Sequence, residues 1–427
     1  MTLVLMILGL LALILIDVPI AVSLGVVAVI AMVLAQGADI LPNVALVMFD
    51  GATKFPLLAI PLFILAGAIM NASGISTRLI AFVSALLGFI RGGLAMVNIG
   101  ASMFFAEISG SAVADVAALG SILIPAMRRR GYPRAFSAAV TSSAATLAVI
   151  IPPSIPMILY GVMSDSSIVQ LFVAGIVPGV LGGLGMMGVS YWMARRNNWP
   201  VEDVFELPRL WRTFKEAAWA LVLPFIILGG IFGGVVTATE GAGLAVAAAL
   251  IIGGLIYREL DFSHLLAAMI EGGVQTAVVM LLVAASALIG VFLTEQQVPQ
   301  TLATAILNWT DNRYAVLALL NLFFLAVGLF LHSAAAIILV VPIVMPLVNA
   351  VGIDPVHFGL IVTLNLGIGQ QTPPVASVLI TACSVAKADI WEVSKANVRF
   401  VGVLLAILIL VTYVPAIPMT LVRVFYG

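Results

Sequence analysis

The sequence is short of charge. Of 427 residues only 18 are Lys or Arg and 19 Asp or Glu, 9% in all, where a soluble domain carries about 25%. With 63% hydrophobic residues and a mean hydropathy of +1.25, too little polar surface is left for a water-soluble globule. The single cysteine, Cys383, excludes an internal disulfide framework, and its apolar neighbours make it a small buried hydrophobe. A formal net charge of −1 offers no basic field for nucleic acid. An intramembrane enzyme has no motif to rest on: there is no His-Glu-x-x-His, no Gly-Lys-Ser/Thr phosphate loop and no cysteine pair. Low-complexity tracts and long soluble segments are also missing. The first apolar run has no basic leader and no small-residue cleavage site, so residues 2–16 read as a retained span rather than a signal peptide.

What remains is a polytopic membrane protein whose spans are interrupted in a regular way. Residues 141–160, TSSAATLAVIIPPSIPMILY, read as a membrane helix broken at Pro152 and Pro153, which lack backbone donors and push the preceding residue out of helical geometry. In hydrocarbon each unpaired backbone group costs several kcal/mol unless it lines a buried polar site. The break recurs in TLNLGIGQQTPPVASVLIT, residues 363–381, where Pro373 and Pro374 each stand 221 positions after their counterparts. The same offset relates Pro125 to Pro346, Gly131 to Gly352, Gly51 to Gly272, Gly9 to Gly230, Ala21 to Ala242 and Val180 to Val401. A constant offset held from end to end is a duplicated architecture, and paired Pro- or Gly-interrupted segments point to the binding site of a secondary transporter.

In chain order, apolar spans fall at 2–16, 19–35 and 55–71, separated by Asp17-Val18-Pro19 and a polar run at 39–54. The first two are short for a bilayer that needs about 20 residues. Residues 76–91 follow. Their counterpart at 297–309 puts Gln297, Gln300, Thr301, Thr304 and Asn308 on one helical face and Val298, Leu302, Ala305, Ile306 and Trp309 on the other, the pattern of an interfacial helix. Residues 94–127 are interrupted by Glu107-Ile108-Ser109-Gly110-Ser111. Two half-helices that enter the membrane and turn back fit this, and one kinked span is the plainer alternative. The broken span at 134–161, another at 168–194 and a polar connection at 195–215 complete the half. The second half repeats the order: spans at 217–235 and 239–257, an amphipathic lead-in at 262–272, a span at 274–294, the interfacial helix, a second hairpin at 314–351 with its tip near Leu331-His332-Ser333, the broken span at 355–384 and a last span at 400–422.

If hairpins and interfacial helices do not cross, each copy crosses five times, so the second is inverted relative to the first. Positive charge agrees: this topology puts only Lys54, Arg313 and Arg423 on one face and the other fifteen of the 18 basic residues on the opposite one. The Lys- and Arg-rich face is cytoplasmic, which places both termini outside. Trp192, Trp199, Trp211, Trp219 and Trp391 fall near that interface, where indoles prefer to sit.

Two tips and two breaks would meet near the midplane, where half-helix C-termini offer carbonyls to a hard cation and N-termini face an anion. Ser109, Gly110, Ser111, Thr146, Ser333, Gly367, Gly369, Gln370, Gln371 and Thr372 supply neutral oxygens and close backbone approach. The competing view is that small residues merely let helices pack. Asp115, one turn past the first tip, is the charged candidate, either neutralising a cation or serving a nearby donor. Glu107 precedes the tip and faces water. Glu240, in Thr237-Ala-Thr-Glu240, reads as a helix cap, His264 as interfacial and His357 as the start of a span.

The segments FFAEISGSAVADVAALGSILIPAM, AVIIPPSIPMILYG, TATEGAGLAVAAAL and GIGQQTPPVASVL, in this order, resemble the large membrane subunit of tripartite ATP-independent periplasmic (TRAP) transporters, the DctM type, over essentially the whole chain. That resemblance implies an all-α polytopic protein of two inverted-topology repeats, each with a re-entrant hairpin and a Pro-Pro-broken helix, working as a sodium-driven elevator in the bacterial inner membrane. It implies scaffold and interfacial arms at 1–92 and 217–312, transport-domain segments at 93–197 and 313–427, and a cytoplasmic connection at 198–216. It also implies a small four-helix membrane subunit of the DctQ type, a periplasmic binding protein of the DctP type and an organic acid substrate. Matched residue by residue, one Na+ site would fall on Ser109, Gly110, Ser111, Asp115, Thr146 and Ile151. A second would fall on His332, Ser333, Gly367, Gly369, Gln371 and Thr372, with Ser111, Pro152, Ser154, Gln370 and Pro373 at the substrate. The chain departs from the family at His332, where an acidic residue is usual, which bears on the second cation, and a histidine there is itself titratable. A stand-alone dicarboxylate- or citrate-type permease shares these hairpins and repeats without a binding protein. A passive channel would need no paired breaks around a cation.

Overall fold

In the computed structural model the described residues are 2–427 without Asp17, Pro200, Glu202, Asp203 and Pro374, and without the side chains of residues 2–4, 7, 11, 14, 15 and 107–109. The sequence readings of Asp17 and Pro374, and of the Glu107 and Ser109 side chains, therefore lie outside the described residues. Among the described residues all regular structure is helical, apart from one isolated bridge between Arg91 and Val201.

The first half runs α1 (Thr2–Leu15), α2 (Ile20–Gln36), α3 (Leu41–Ala52), α4 (Ala59–Ala72), α5 (Ile75–Leu87), α6 (Gly93–Ser109), α7 (Ala112–Arg129), α8 (Arg134–Ala145), α9 (Ile155–Ser164) and α10 (Ile168–Arg196). The second half runs α11 (Leu207–Phe232), α12 (Ala238–Leu250, continued by a π-helical turn over Ile251–Ile256), α13 (Phe262–Glu295), α14 (Val298–Leu307), α15 (Arg313–Gly328), α16 (Ser333–Ala350), α17 (Pro355–Gly369), α18 (Ser377–Ala386), α19 (Ile390–Tyr413) and α20 (Ala416–Tyr426). Among the described residues seven helices are long and apolar enough to cross a bilayer, from the one spanning Phe55–Ala72 to Ile390–Tyr413.

Short polar side chains start these helices by accepting from amides the first turn leaves unpaired, each worth about 0.5–2 kcal/mol. Asp354 accepts from Val356 and His357 at 2.8 and 3.0 Å, and Asp389 from Trp391 and Glu392 at 2.9 and 3.2 Å. Glu240 is the cap its motif promised: its carboxylate accepts from the Thr237 amide at 2.8 Å while the Thr237 hydroxyl accepts from the Glu240 amide at 3.2 Å.

Four boundaries differ from the sequence reading. The run at 39–54 is not a loop, because Pro42 at the start of α3 needs no donor there and the chain helices on to Ala52. The separate lead-in and span at 262–294 are one 34-residue helix, α13. In the first half the equivalent stretch stays divided into α3 and α4 by Pro56, whose counterpart 221 residues on is Ala277. Half of the polar connection at 198–216 is already α11, which starts at Leu207 with Pro208 in its first turn. The last span begins at Ile390 rather than 400 and is cut at Pro415, which sets α20 off from α19.

Packing is reciprocal between the halves. Helix α2 lies on α13 and α12 on α4; α7 lies on α18 and α9 on α16; α8 lies on α19 and α10 on α17. The hairpin arms break this pattern. Helices α6 and α7 pack along each other, whereas α15 and α16 scarcely touch, α15 leaning on α17 and α16 on α9, α13 and α14.

Candidate functional site

The first break is built by Pro152 and Pro153. Helix α8 tightens into a 3-10 turn over Thr146–Val149 and stops, and α9 restarts at Ile155 with the Ser154 hydroxyl accepting from the Met157 amide at 3.4 Å and donating to the Val149 carbonyl at 2.8 Å. Among the described residues no backbone amide donates to the carbonyls of Ile150, Ile151, Pro152 or Pro153. All are buried, so the break presents oxygen atoms where water is scarce.

The second break lies between α17 and α18. The amides of Gln370, Gln371 and Thr372 still bond backward, to Leu366, Ile368 and Gly369 at 3.0–3.1 Å, but among the described residues no backbone amide donates to the carbonyls of Gln370, Gln371 or Thr372. Thr372 and Pro373 are half-buried, and the Thr372 hydroxyl donates to the Ile368 carbonyl at 3.1 Å.

Each tip rests on its own break. Gly110 has φ +57°, a left-handed conformation that costs a residue with a Cβ, and a Cβ there would also sit 3.0 Å from the Pro153 oxygen. Ser111 opens α7 as its half-buried N-cap, and Asp115, 1% exposed, lies in the first turn of α7. At the second tip the Val375 amide donates to the Leu329 carbonyl at 3.3 Å, and the α15 and α17 backbones meet so closely that a Cβ on Gly369 would lie 2.5 Å from Gly328. His332 is exposed and caps α16, its Nδ1 accepting from the Ala334 amide at 3.4 Å, while the next residue, Ser333, is buried.

The two breaks are tied to each other. The Gln371 amide nitrogen donates to the Thr146 hydroxyl at 2.6 Å and to the Ser142 carbonyl at 2.8 Å, and its oxygen accepts from Asn397 at 3.2 Å. Asn397 in turn accepts from the Ser143 hydroxyl at 2.6 Å. Thr146 and Gln371, which the sequence reading put at separate cation sites, thus share one buried network. Gly367 sits against Thr146, its counterpart 221 residues earlier, at 2.9 Å from an added Cβ to the threonine methyl. Gln370 is also buried, and its amide nitrogen has no hydrogen-bond partner among the described residues.

Sequence reasoning missed the asparagines. Asn397, on α19, closes the network; Asn365 donates to Asn321 at 2.6 Å, and Asn321 to Thr412 at 3.1 Å, joining α17, α15 and α19; Asn98 donates to Thr141 at 2.6 Å, joining α6 and α8. A lone amide inside a run such as Leu364-Asn365-Leu366 was the available signal, since a polar group there must find a partner. Of the remaining candidates, His357 is buried with Nε2 2.7 Å from the Val411 carbonyl, and His264 is exposed beside Asp261.

Among the described residues no three His, Cys, Asp or Glu side chains gather as metal ligands, so the oxygens that converge at the breaks are carbonyls, hydroxyls and amides, with Asp115 as the nearby acid. Seven span-length helices, interrupted helices in both halves and buried polar breaks define a multi-pass membrane protein of the transporter class. The chain belongs to the family described as "Tripartite ATP-independent periplasmic transporter, DctM component", whose sequence profile matches residues 7–417. It is 44% identical over 408 residues to the isethionate TRAP transporter permease protein DctMQ of Oleidesulfovibrio alaskensis, covering 95% of this chain and 64% of that protein, so this chain spans less than two thirds of that relative's length. It is 39% identical to the C4-dicarboxylate TRAP transporter large permease protein DctM of Pseudomonas aeruginosa, covering 86% of each, and 37% identical to the sialic acid TRAP transporter large permease protein SiaM of Vibrio cholerae, covering 87% of each. The crystal structure of the Alcanivorax borkumensis YdaH transporter has the same fold at a TM-score of 0.66 and 16% identity, covering 90% of this chain and 91% of that one.

Proposed function

We propose that this protein is the translocating subunit of a sodium-coupled secondary transporter that takes up a small organic acid across the bacterial inner membrane. The observation that carries the reading is the bridge from Gln371 to Thr146 and Ser142, which makes the two breaks one buried polar centre. A structural break has no need of a partner break, whereas a coupled carrier needs cation and substrate sites that respond to each other.

The carbonyls at the ends of α8 and α17 carry the negative ends of helix dipoles, and with the hydroxyls of Ser111, Thr146 and Thr372 and the carboxylate of Asp115 they are the hard, weakly charged donors an alkali cation takes. The sites read from the sequence stand in this proposal: Ser109, Gly110, Ser111, Asp115, Thr146 and Ile151 for one Na+, and His332, Ser333, Gly367, Gly369, Gln371 and Thr372 for another. His332 contributes through its backbone, since its Nδ1 caps α16. The dipolar N-terminal ends of α9 and α18, with Ser154 and the unused Gln370 donor, face the substrate carboxylate beside Pro152 and Pro373.

The reciprocal packing and the contact of Thr146 with its own counterpart support an in-membrane two-fold, because a position touches its mate only near the axis. In the elevator reading, α6–α10 and α15–α20 move against the arms of α1–α5 and α11–α14. The relatives' substrates, isethionate, C4-dicarboxylates and sialic acid, support an acid cargo. The joint name DctMQ of a relative longer than this chain supports a small membrane partner, and the family name supports a periplasmic binding protein.

Vesicles reconstituted with both partners should lose uptake when the sodium gradient is collapsed, and undiminished uptake would reject the coupling. Asp115→Ala or Ser111→Ala should raise the sodium concentration for half-maximal transport. A cysteine at Arg129 should be labelled only from the cytoplasm and one at Asn349 only from outside; labelling of both from one face rejects the inversion.

A further inference from the structure

A polar cavity of about 370 Å³ opens among Gln170, Arg313, Asp354, His357, Arg423 and Tyr426, none of them a residue of the breaks. This lies within the range of about 300–1,000 Å³ usual for small-molecule sites. Three helices begin at its wall: α10, whose first turn holds Gln170, α15, whose first residue is Arg313, and α17, whose first turn holds His357. Their positive dipole ends face the same space, which the C-terminal end of α20 closes with Arg423 in its last turn.

The side chains add to that field. The Arg313 Nε is enclosed and has no hydrogen-bond partner among the described residues, and its guanidinium lies 5.3 Å from the Tyr314 ring centre rather than on a carboxylate. Arg423, on α20, makes no ion pair among the described residues. The one acidic side chain at the wall, Asp354, uses an oxygen to accept from the Val356 and His357 amides. Arg313 and Arg423 share the wall with the Asp354 carboxylate and the chain end at Gly427, yet neither guanidinium is held in an ion pair among the described residues, and planar guanidinium forks match a carboxylate in shape.

We propose that this cavity is an anion vestibule that holds a carboxylate of the transported acid on the outer face before it moves to the breaks. The inference rests on the proposed transport function for the identity of the acid and on the proposed topology for the face. Guanidinium groups at the membrane edge attract an anionic cargo leaving a binding protein, and Arg313 and Arg423 are two of the three basic residues that the topology puts outside.

Phenylglyoxal labelling of the full chain in phosphatidylcholine nanodiscs, read peptide by peptide by mass spectrometry, tests it without sodium or partner proteins. Saturating succinate should lower labelling of Arg313 and Arg423 by about fivefold, while succinamide at equal ionic strength and Arg128 on the opposite face show no change. In Arg313→Gln the protection of Arg423 should disappear. Equal labelling with and without succinate would overturn the proposal, and so would protection seen only when anionic phospholipid is added, which would mark a headgroup site. Because the readout needs no gradient, failure of sodium coupling leaves it standing, and its own failure leaves the coupling intact.

Discussion

The two tip-and-break units have the same plan and different chemistry. In the first, Gly110 rests on Pro153, the broken backbone is flanked by Ile150 and Ile151, and Asp115 lies one turn away. In the second, the corresponding stretch carries Gln370 and Gln371, and the counterpart of Asp115 is Ala336. The first unit therefore brings a charge and bare carbonyls, the second brings amides that bond across to the first. The geometry recurs at a constant offset of 221 residues while the side chains differ, and in the proposed function that difference divides the holding of a cation from the joining of the halves.

The arms show the same divergence. Where the end of α12 meets the turn between α4 and α5, Arg78 grips Glu259 with two bonds of 2.9 and 2.6 Å and lies 3.9 Å over the Tyr257 ring. At the equivalent junction, the end of α2 with the turn between α13 and α14, the contact is a hydrogen bond from Gln36 to Glu295. An ion pair at one junction corresponds to a neutral donor at the other.

The sharpest way to break the comparison is at the bridge. Gln371→Leu removes the bonds to Thr146 and Ser142 and strands the buried Asn397 amide, so thermal unfolding in detergent should show a loss of about 2–3 kcal/mol. Thr146→Val, which leaves the Gln371 bond to Ser142, should cost about 1 kcal/mol. If the two variants are equal, the network does not depend on the second unit's amide. Next is the close approach that only the second unit has. Gly369→Ala places a methyl 2.5 Å from Gly328 and should cost about 1–3 kcal/mol, whereas the equivalent position in the first unit is already Ala148. Gly402→Ala, with open space around it, is the control and should stabilise slightly by removing a helical glycine.

The smallest effect belongs to the arms. Arg78 holds the Glu259 carboxyl below its ordinary value of 4.5, through their hydrogen bonds first and charge second. A lowered carboxyl gives stability that is complete above the unfolded pKa and is lost as pH falls through the folded one. Glu259 is 46% exposed, so solvent screens the pair to about 0.5–1 kcal/mol. The difference in unfolding midpoint between wild type and Arg78→Gln should be constant from pH 7 down to about 5, shrink as pH falls below the free carboxyl's value of about 4.3, and vanish only once Glu259 is protonated in the folded protein. A difference that grows on acidification would contradict this assignment.

Much of the fold was legible because membranes punish exposed backbone. Pro152, Pro153 and Pro373 broke apolar spans that had no other reason to break, and the constant offset tied the two breaks together. Helix starts were legible at Thr237 and Glu240 because capping is local. The sequence pattern was silent where partners are distant. Asn397 stands in a polar stretch, Glu-Val-Ser-Lys-Ala-Asn, and nothing in it marks a bond to a residue 26 positions back and another 254 positions back. The vestibule was equally hidden, since Gln170, Arg313 and Arg423 meet only after folding. The extension of α13 and the early start of α11 were obscured because helices tolerate polar residues that composition alone reads as loop.

The central claim is that the joined breaks hold a sodium ion. It is tested most directly by the thermal stability of the purified protein with sodium against equal potassium. The account predicts a midpoint that rises with sodium alone, by ligand binding to the folded state, with the rise abolished in Asp115→Asn and retained in Arg313→Gln. Equal midpoints in sodium and potassium, or a full sodium shift in Asp115→Asn, would contradict it.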